Sequence, residues 1–408
     1  MTPMAAATIK KRTVQSLTNL DGKRVLVRVD YNVPIDKQTG KVTDDTRLRA
    51  SLPTLEFLLQ KKAKLILMSH LGRPKGQVNP KYSLKPVVEP LGKLLKLPVQ
   101  FSDDCIGPKA KEAVAKLKPG GVLLLENLRF HPEEEANDPG FGKELASLAD
   151  YYVEDAFGSV HRAHASTAQV PSLLQSAAGF LLEKELNFLQ KVKSDPARPY
   201  MVILGGAKVS DKLGVVKAMV NQANTIFIGG AMAYTFLKAQ GHDVGDSLFE
   251  ADQIDLAKEI LGEAKAKNVS FLLPVDNKIV ENLENPGGVK TTDGIDIPQG
   301  WKGVDIGAKT IDLLKPKIKE AKSIFWNGPA GIFEVKEFSQ GTMEIAKLLA
   351  DAARQGAMVV VGGGDSVAAV GKAGVSKDMT FISTGGGASL EFLEGQDLPG
   401  VSALPNAN

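Results

Sequence analysis

The sequence predicts an α/β chain with two doubly wound, parallel-sheet (Rossmann-like) domains joined by a helical hinge. Three observations lead there. A series of short runs is continuously apolar and rich in Val, Ile and Leu, as strands buried on both faces of a parallel sheet are. Segments with apolar residues at helical spacing lie between these runs, and that alternation implies α/β layers with right-handed crossovers. Near the middle, one helical segment ends in a polar, proline-containing exit that reads as a boundary.

The early strand candidates are KRVLVRVDYNVP, AKLILMSHLGRP, GGVLLLENLRF and ADYYVEDAFGSVHRAH. RLRASLPTLEFLLQKK and SLKPVVEPLGKLLK are helical, provided Pro86 and Pro90 lie early in the second one. FLLEKELNFLQKVKSDPARP is the connector, and Pro196 and Pro199 end it before the next strand. The later strand candidates are RPYMVILGGAKVS, ANTIFIGGAMA, AKSIFWNGPAG, AMVVVGGGDS and DMTFISTGGGAS. DKLGVVKAMVNQA, DQIDLAKEILGEAKAK, GAKTIDLLKPKIKEA and FSQGTMEIAKLLADAARQ alternate with them as helices. The expected division is a first domain at 1–180, a connecting helix at 181–195, a second domain at 196–390 and a tail at 391–408 that packs back on the body.

Composition narrows the functional classes. The 408 residues are 43% hydrophobic and 24% charged, ordinary for a soluble globular protein with two sizeable cores. A net charge of +3 is too small to argue for nucleic acid. Cys105 is the only cysteine, so an intrachain disulfide and a cysteine metal cluster are excluded. No run approaches the roughly 20 apolar residues of a membrane span. MTPMAAATIKKRTVQSL lacks an apolar signal core. The expectation is a cytoplasmic protein without nucleic-acid or membrane partners.

Open α/β sheets bind ligands at the carboxyl ends of their strands, and here the strand exits change character along the chain. The early exits carry Arg28, Asp30, Asn32, His70, Arg73, Arg129, Arg162 and His164, with Arg47 in the first helix. Any one arginine reads equally as a surface charge. Placed after successive buried strands, they converge on one end of the sheet. Their forked donors suit a small anion with more than one negative group. HRAH lacks the third ligand and acid of zinc-site motifs.

The later exits are glycine turns. Gly205-Gly206-Ala207-Lys208-Val209-Ser210-Asp211-Lys212 puts two lysines four residues apart, without the Walker A order. The glycines serve either a phosphate or tight strand–helix packing. In Gly362-Gly363-Gly364-Asp365-Ser366 the acid either binds Mg²⁺ or caps the next helix. The turn at Thr384-Gly385-Gly386-Gly387 could aim helix N–H groups at a moving phosphoryl group. Trp326-Asn327-Gly328-Pro329 is a fourth turn, and Glu334 just beyond it could accept from a ribose. Several such turns in one half favour a nucleotide. There is no G-x-S-x-G elbow and no convincing Cys–His pair, so direct transfer between two bound substrates fits better than a covalent intermediate.

RVDYNVP, TRLRASLPT, SHLGRP, LLENLRFHPEEE, EDAFGSVHRAHAS, LGGAKVSDK, WNGPAGIFE, GGGDS and STGGGAS together resemble the phosphoglycerate kinase family, from about residue 10 to the end. The resemblance implies reversible, Mg²⁺-dependent phosphoryl transfer between 1,3-bisphosphoglycerate and ADP, giving 3-phosphoglycerate and ATP, by a monomeric glycolytic enzyme. It assigns phosphoglycerate to Asp30, Tyr31, Asn32, Arg47, His70, Leu71, Gly72, Arg73, Arg129, Arg162 and His164, with Arg28 in the same basic patch. It assigns the nucleotide to Lys208, Lys212, Gly303, Asn327, Glu334, Gly363, Gly364, Asp365 and Ser366, with Asp365 on Mg²⁺. Arg47, Lys212, Gly386 and Gly387 are the candidates for stabilising the phosphoryl group in flight. Tyr31, Ala231 and Ala330 depart from common family choices without removing a charge.

If the ligands sit on different domains, closure must join them and exclude water. One rival is an NAD-dependent dehydrogenase, which needs G-x-G-x-x-G after the first strand, where VDYNVP stands instead. The other is a non-catalytic anion- or nucleotide-binding protein, which would bind without turnover.

Overall fold

The computed structural model describes residues 10–407. Among these, one compact unit holds 10–187 and 397–407, and the other holds Phe188–Gln396.

In the first unit six parallel strands run in the order β3-β4-β2-β1-β5-β6. They are β1 (Arg24–Arg28), β2 (Lys64–Met68), β3 (Val99–Ser102), β4 (Val122–Leu125), β5 (Tyr151–Glu154) and β6 (Gln175–Ala178). The central strands are the continuous apolar runs, because helices cover both sheet faces. The edge strands β3 and β6 read Val-Gln-Phe-Ser and Gln-Ser-Ala-Ala, and carry no such signal. Val25, Val27, Leu65, Leu67, Leu124 and Val153 build one core with Leu48, Leu55 and Leu58 of the helix Thr46–Gln60. Each buried Leu or Val contributes about 1.5–3 kcal/mol by leaving water. Pro86 falls in a short 3₁₀ turn and Pro90 in the first turn of the helix Val88–Leu95, where neither breaks an interior hydrogen bond.

The second unit has six parallel strands in the order β15-β14-β13-β7-β8-β9 and an antiparallel sheet in the order β11-β10-β12. The large sheet comprises β7 (Tyr200–Leu204), β8 (Thr225–Ile228), β9 (Ser270–Leu272), β13 (Ser323–Asn327), β14 (Met358–Gly362) and β15 (Phe381–Ile382). The small sheet comprises β10 (Asn277–Val280), β11 (Lys290–Thr291) and β12 (Lys302–Ile306). The small sheet departs from the all-parallel expectation. Its strands are short and interrupted by Lys, Gly and Asp, so no apolar run marks them. Met201, Ile203, Ile324, Trp326, Val359 and Val361 form the core of the large sheet.

The chain passes from the first unit to the second inside the helix Phe180–Ser194. It returns to the first unit at Asp397. There Asn406 bridges Lys11, and the Gly400 N–H donates to the Val160 carbonyl at 2.8 Å. A Cβ on Gly400 would lie 2.9 Å from the Val160 Cα, so only glycine fits.

Each large sheet reverses its strand order once. In the first unit the reversal separates the exits of β1 and β5. In the second it separates those of β7 and β13. Ligand crevices form at such points. Among the described residues, no helix is long and apolar enough to cross a membrane.

Candidate functional site

In the first unit the exits of β1, β2, β4 and β5 surround a cavity of roughly 210 Å³. Asn32, His70, Gly72, Arg73, Arg129, Arg162 and His164 line it, with Gly158, Ser159 and His161. Backbone economy locks these loops together. Asn127 caps the Arg129 turn by accepting from the Arg129 N–H at 3.0 Å. Its amide nitrogen donates to the Leu71 and Tyr82 carbonyls, both at 2.8 Å. Gly72 has φ +60°, and a Cβ there would lie 2.4 Å from the Tyr82 ring. The Gly72 N–H donates to Asn32 Oδ1 at 2.9 Å, and its carbonyl accepts from Arg129 Nη1 at 3.0 Å.

Three arginines face this space, and no described Asp or Glu lines it. The imidazoles add donors without charge. Burial, then Arg28, Arg129 and Arg47, holds His70 well below its ordinary pKa. Burial, then Arg129 and Arg28, brings His164 down to about 3. The nearby acids are not among the lining residues. Glu134 is fully buried and accepts from the Ser166 hydroxyl at 2.6 Å, while Glu135 lies 3.4 Å from Arg129 Nε. The whole arrangement suits a small polyanion.

Five expected residues, Arg28, Asp30, Tyr31, Arg47 and Leu71, stand off this cavity. Arg47 pairs with the buried Asp30. Tyr31 is buried with its hydroxyl 3.0 Å from the Ser51 hydroxyl. Leu71 is buried and offers its carbonyl to Asn127. Arg28, grouped with the basic patch in sequence, is fully buried as the last residue of β1 and lines no part of the cavity. Its charge was legible; its burial was not. Gly158, Ser159 and His161, all absent from the expected set, also line the wall; nothing in the glycine and serine signals it, whereas His161 stands at the head of the HRAH segment.

In the second unit, Lys212 bridges the two strands at the reversal. Its ammonium donates to the Gly205 carbonyl after β7 and to the Asn327 carbonyl of β13, the latter at 3.0 Å. Burial lowers Lys212 to about 8, although Asp365 and Asp211 pull it upward. The glycines around it divide into two kinds. A Cβ on Gly205 would lie 2.0 Å from the Pro329 carbonyl oxygen, and one on Gly328 would lie 2.1 Å from the Gly205 oxygen. Those two serve packing. Gly364 and Gly387 begin helices, and a Cβ on either would meet nothing within 4 Å. Packing does not explain them, and they leave the helix N–H groups bare, as an anion site requires. Gly363 and Gly386, at the two N-cap positions, have φ +86° and +54°.

Asn327 is buried, and its amide nitrogen has no partner among the described residues. A Cβ on Gly363 would come 2.9 Å from that nitrogen. The Ser366 hydroxyl is buried and accepts from the Gly328 N–H at 2.5 Å, so it holds the β13 turn. Gly303 sits in β12, where a Cβ would lie 2.0 Å from the Tyr234 hydroxyl. Lys208 and Glu334 are exposed.

Asp365 is exposed in the first turn of its helix, whose N-cap is Gly363, so it is not the cap. An exposed carboxylate beside bare helix N–H groups fits Mg²⁺, which takes one or two carboxylates with phosphate oxygens and water. A different cluster, Asp104, Cys105 and His131, has ligand atoms within 4.8 Å of one another. It is already a hydrogen-bonded brace: Asp104 Oδ1 lies 2.8 Å from His131 Nε2 and accepts from the Cys105 N–H at 2.7 Å. Burial also pushes the Cys105 thiol well up, away from the thiolate that a metal needs.

Residues 14–396 match the family model described as phosphoglycerate kinase. The chain is 53% identical over 404 residues to the phosphoglycerate kinase of Acidobacterium capsulatum, covering 97% of this chain and 99% of that protein. It is 54% identical over 406 residues to that of Koribacter versatilis, covering 98% and 100%. The solved phosphoglycerate kinase structure from Coxiella burnetii aligns with a TM-score of 0.86 at 37% identity, covering 96% of this chain and 98% of that one. Sequence and fold agree over nearly the full length, and the chain belongs to the phosphoglycerate kinase family.

Proposed function

We propose that this chain transfers a phosphoryl group reversibly between 1,3-bisphosphoglycerate and ADP, giving 3-phosphoglycerate and ATP. Family membership makes it a glycolytic phosphotransferase. The observation that carries the substrate reading is the cavity with three arginines and no lining carboxylate. Phosphoglycerate offers a phosphate and a carboxylate, and guanidinium forks suit both. Arg73, Arg129 and Arg162 bind these groups, and Asn32, His70 and His164 orient them. Asp30 holds Arg47 until a phosphoryl group competes for its donors, and Tyr31 and Leu71 support the loop walls.

The nucleotide lies over Gly363, Gly364 and Asn327, with Gly303 and Glu334 toward its nucleoside end and Lys208 on its phosphates. Asp365 holds Mg²⁺, which neutralises phosphate charge. An acyl phosphate has a good leaving group, so no side chain becomes covalent, and catalysis is positioning plus charge stabilisation. Lys212, Arg47 and the N–H groups of Gly386 and Gly387 meet the charge of the phosphoryl group in transit. Lys212 exchanges its two carbonyl contacts for phosphoryl oxygens. Each ligand-binding set draws on residues of one unit of one chain, and the transfer set of Lys212, Arg47, Gly386 and Gly387 draws on one chain alone, which supports a monomer. We place the enzyme in the cytoplasm, where reduced Cys105 is at home.

The test is ADP formation from ATP, Mg²⁺ and 3-phosphoglycerate, with product removed by a coupling enzyme. Turnover that requires all three components is expected. Binding of Mg–ADP and 3-phosphoglycerate by folded protein without turnover would overturn the catalytic reading.

A further inference from the structure

We propose that Arg28 is a positioning residue for His70. From behind the cavity wall its guanidinium donates to His70 Nδ1, fixing the imidazole with its proton on Nε2 as a neutral donor for the ligand. This rests on reading the cavity as the phosphoglycerate site.

The geometry leaves little freedom. Arg28 is fully buried. It donates to the Ser166 hydroxyl at 3.1 Å, the Val29 carbonyl at 2.6 Å and the Ser159 hydroxyl at 3.3 Å, and it lies 3.1 Å from His70 Nδ1. A guanidinium has only donors, so Nδ1 must be the acceptor. An imidazolium, or a neutral ring with its proton on Nδ1, would set N–H against N–H. The proton therefore sits on Nε2, which has no partner among the described residues. His70 lines the cavity, so this donor is available there.

The charges facing His70 all oppose protonation: Arg28 from β1, Arg47 from the helix Thr46–Gln60 and Arg129 from the turn after β4, with His164 as a further titratable neighbour. The counter-charge of Arg28 arrives through Ser166, whose hydroxyl and N–H donate to Glu134 at 2.6 and 2.9 Å. The buried cation is thus compensated without placing a carboxylate in the anion cavity. The second contact of Arg28, Ser159, is itself a lining residue, so one guanidinium sets two points of the wall.

The direct test is nitrogen-15 NMR of the imidazoles in the full wild-type chain, with the His70 signals identified by a His70→Asn variant. From about pH 6 to about pH 8, Nδ1 should be unprotonated and Nε2 protonated, and 3-phosphoglycerate should shift the Nε2–H resonance. The opposite tautomer, a mixture, or titration of His70 in this range would overturn the proposal. The expected tautomer with no response to 3-phosphoglycerate would instead overturn the ligand-facing role and the reading of the cavity. Arg28→Met should populate both tautomers and raise KM for 3-phosphoglycerate about ten- to hundredfold, with kcat changing less. Arg28→Lys, also donor-only, should restore the single tautomer. A single tautomer retained in folded Arg28→Met would refute the assignment.

Discussion

The exits of the first parallel sheet carry guanidinium and imidazole groups to a cavity, while those of the second carry glycine turns and one half-buried lysine. Both regions use the carboxyl edge of the same architecture. What differs is the part of the residue that faces the ligand. In the proposed division, a compact anion is read by long side chains whose bases are locked by Asn127 and Gly72. An extended nucleotide is read by backbone N–H groups that a side chain would cover. Glycine has opposite meanings in the two places. Gly72 is required because Tyr82 crowds it, whereas Gly364 and Gly387 face open space.

The comparison breaks most visibly at Lys212. Lys212→Ala should lower kcat by about 10²–10³ and leave KM for 3-phosphoglycerate nearly unchanged, as steady-state kinetics would report. An unchanged kcat sinks the assignment. Arg129→Met should act on the other side, raising KM for 3-phosphoglycerate about ten- to hundredfold, and calorimetry should find Mg–ADP affinity intact.

Two glycine substitutions sharpen the contrast within the second region. Gly205→Ala forces a Cβ toward a backbone oxygen and should destabilise the fold by about 1–3 kcal/mol in urea unfolding. Gly364→Ala should leave stability equal, or raise it by about 0.4–1 kcal/mol, while weakening Mg–ADP binding. A loss of stability in Gly364→Ala would return that glycine to a packing role.

The smallest effect is one of pH. Lys212 is charged below its lowered value of about 8 and neutral above it. The free-enzyme profile of kcat/KM for the nucleotide should therefore be flat below that value and fall as pH rises through it. A profile that rises there contradicts a cationic role.

Central strands and cavity arginines were legible in sequence because burial on two faces demands apolar runs, and because a charged residue after such a run has one sheet edge to occupy. The edge strands β3 and β6 were silent, since an edge tolerates Gln and Ser. The small antiparallel sheet was silent for a related reason: Lys290–Thr291 is too short to show a period, and β12 contains Gly303 and Asp305. For the candidate sites, residue type conveyed charge but not depth. Arg28 and Arg129 read alike in sequence. Hydrogen bonding to Ser166, Ser159 and Val29 puts the first behind the wall, and the Asn127 cap puts the second in it. The glycine turns were found by composition, but only the space around each Cβ separates packing from ligand approach.

The central claim is that the two ligands are read by separate regions with different chemistry. Crossed calorimetry tests it most directly, titrating 3-phosphoglycerate and Mg–ADP separately into wild type, Arg129→Met and Gly364→Ala. The account predicts that Arg129→Met loses affinity only for 3-phosphoglycerate and Gly364→Ala only for Mg–ADP. Loss of the opposite ligand in either folded variant, or wild-type affinity for both ligands in both, would contradict it.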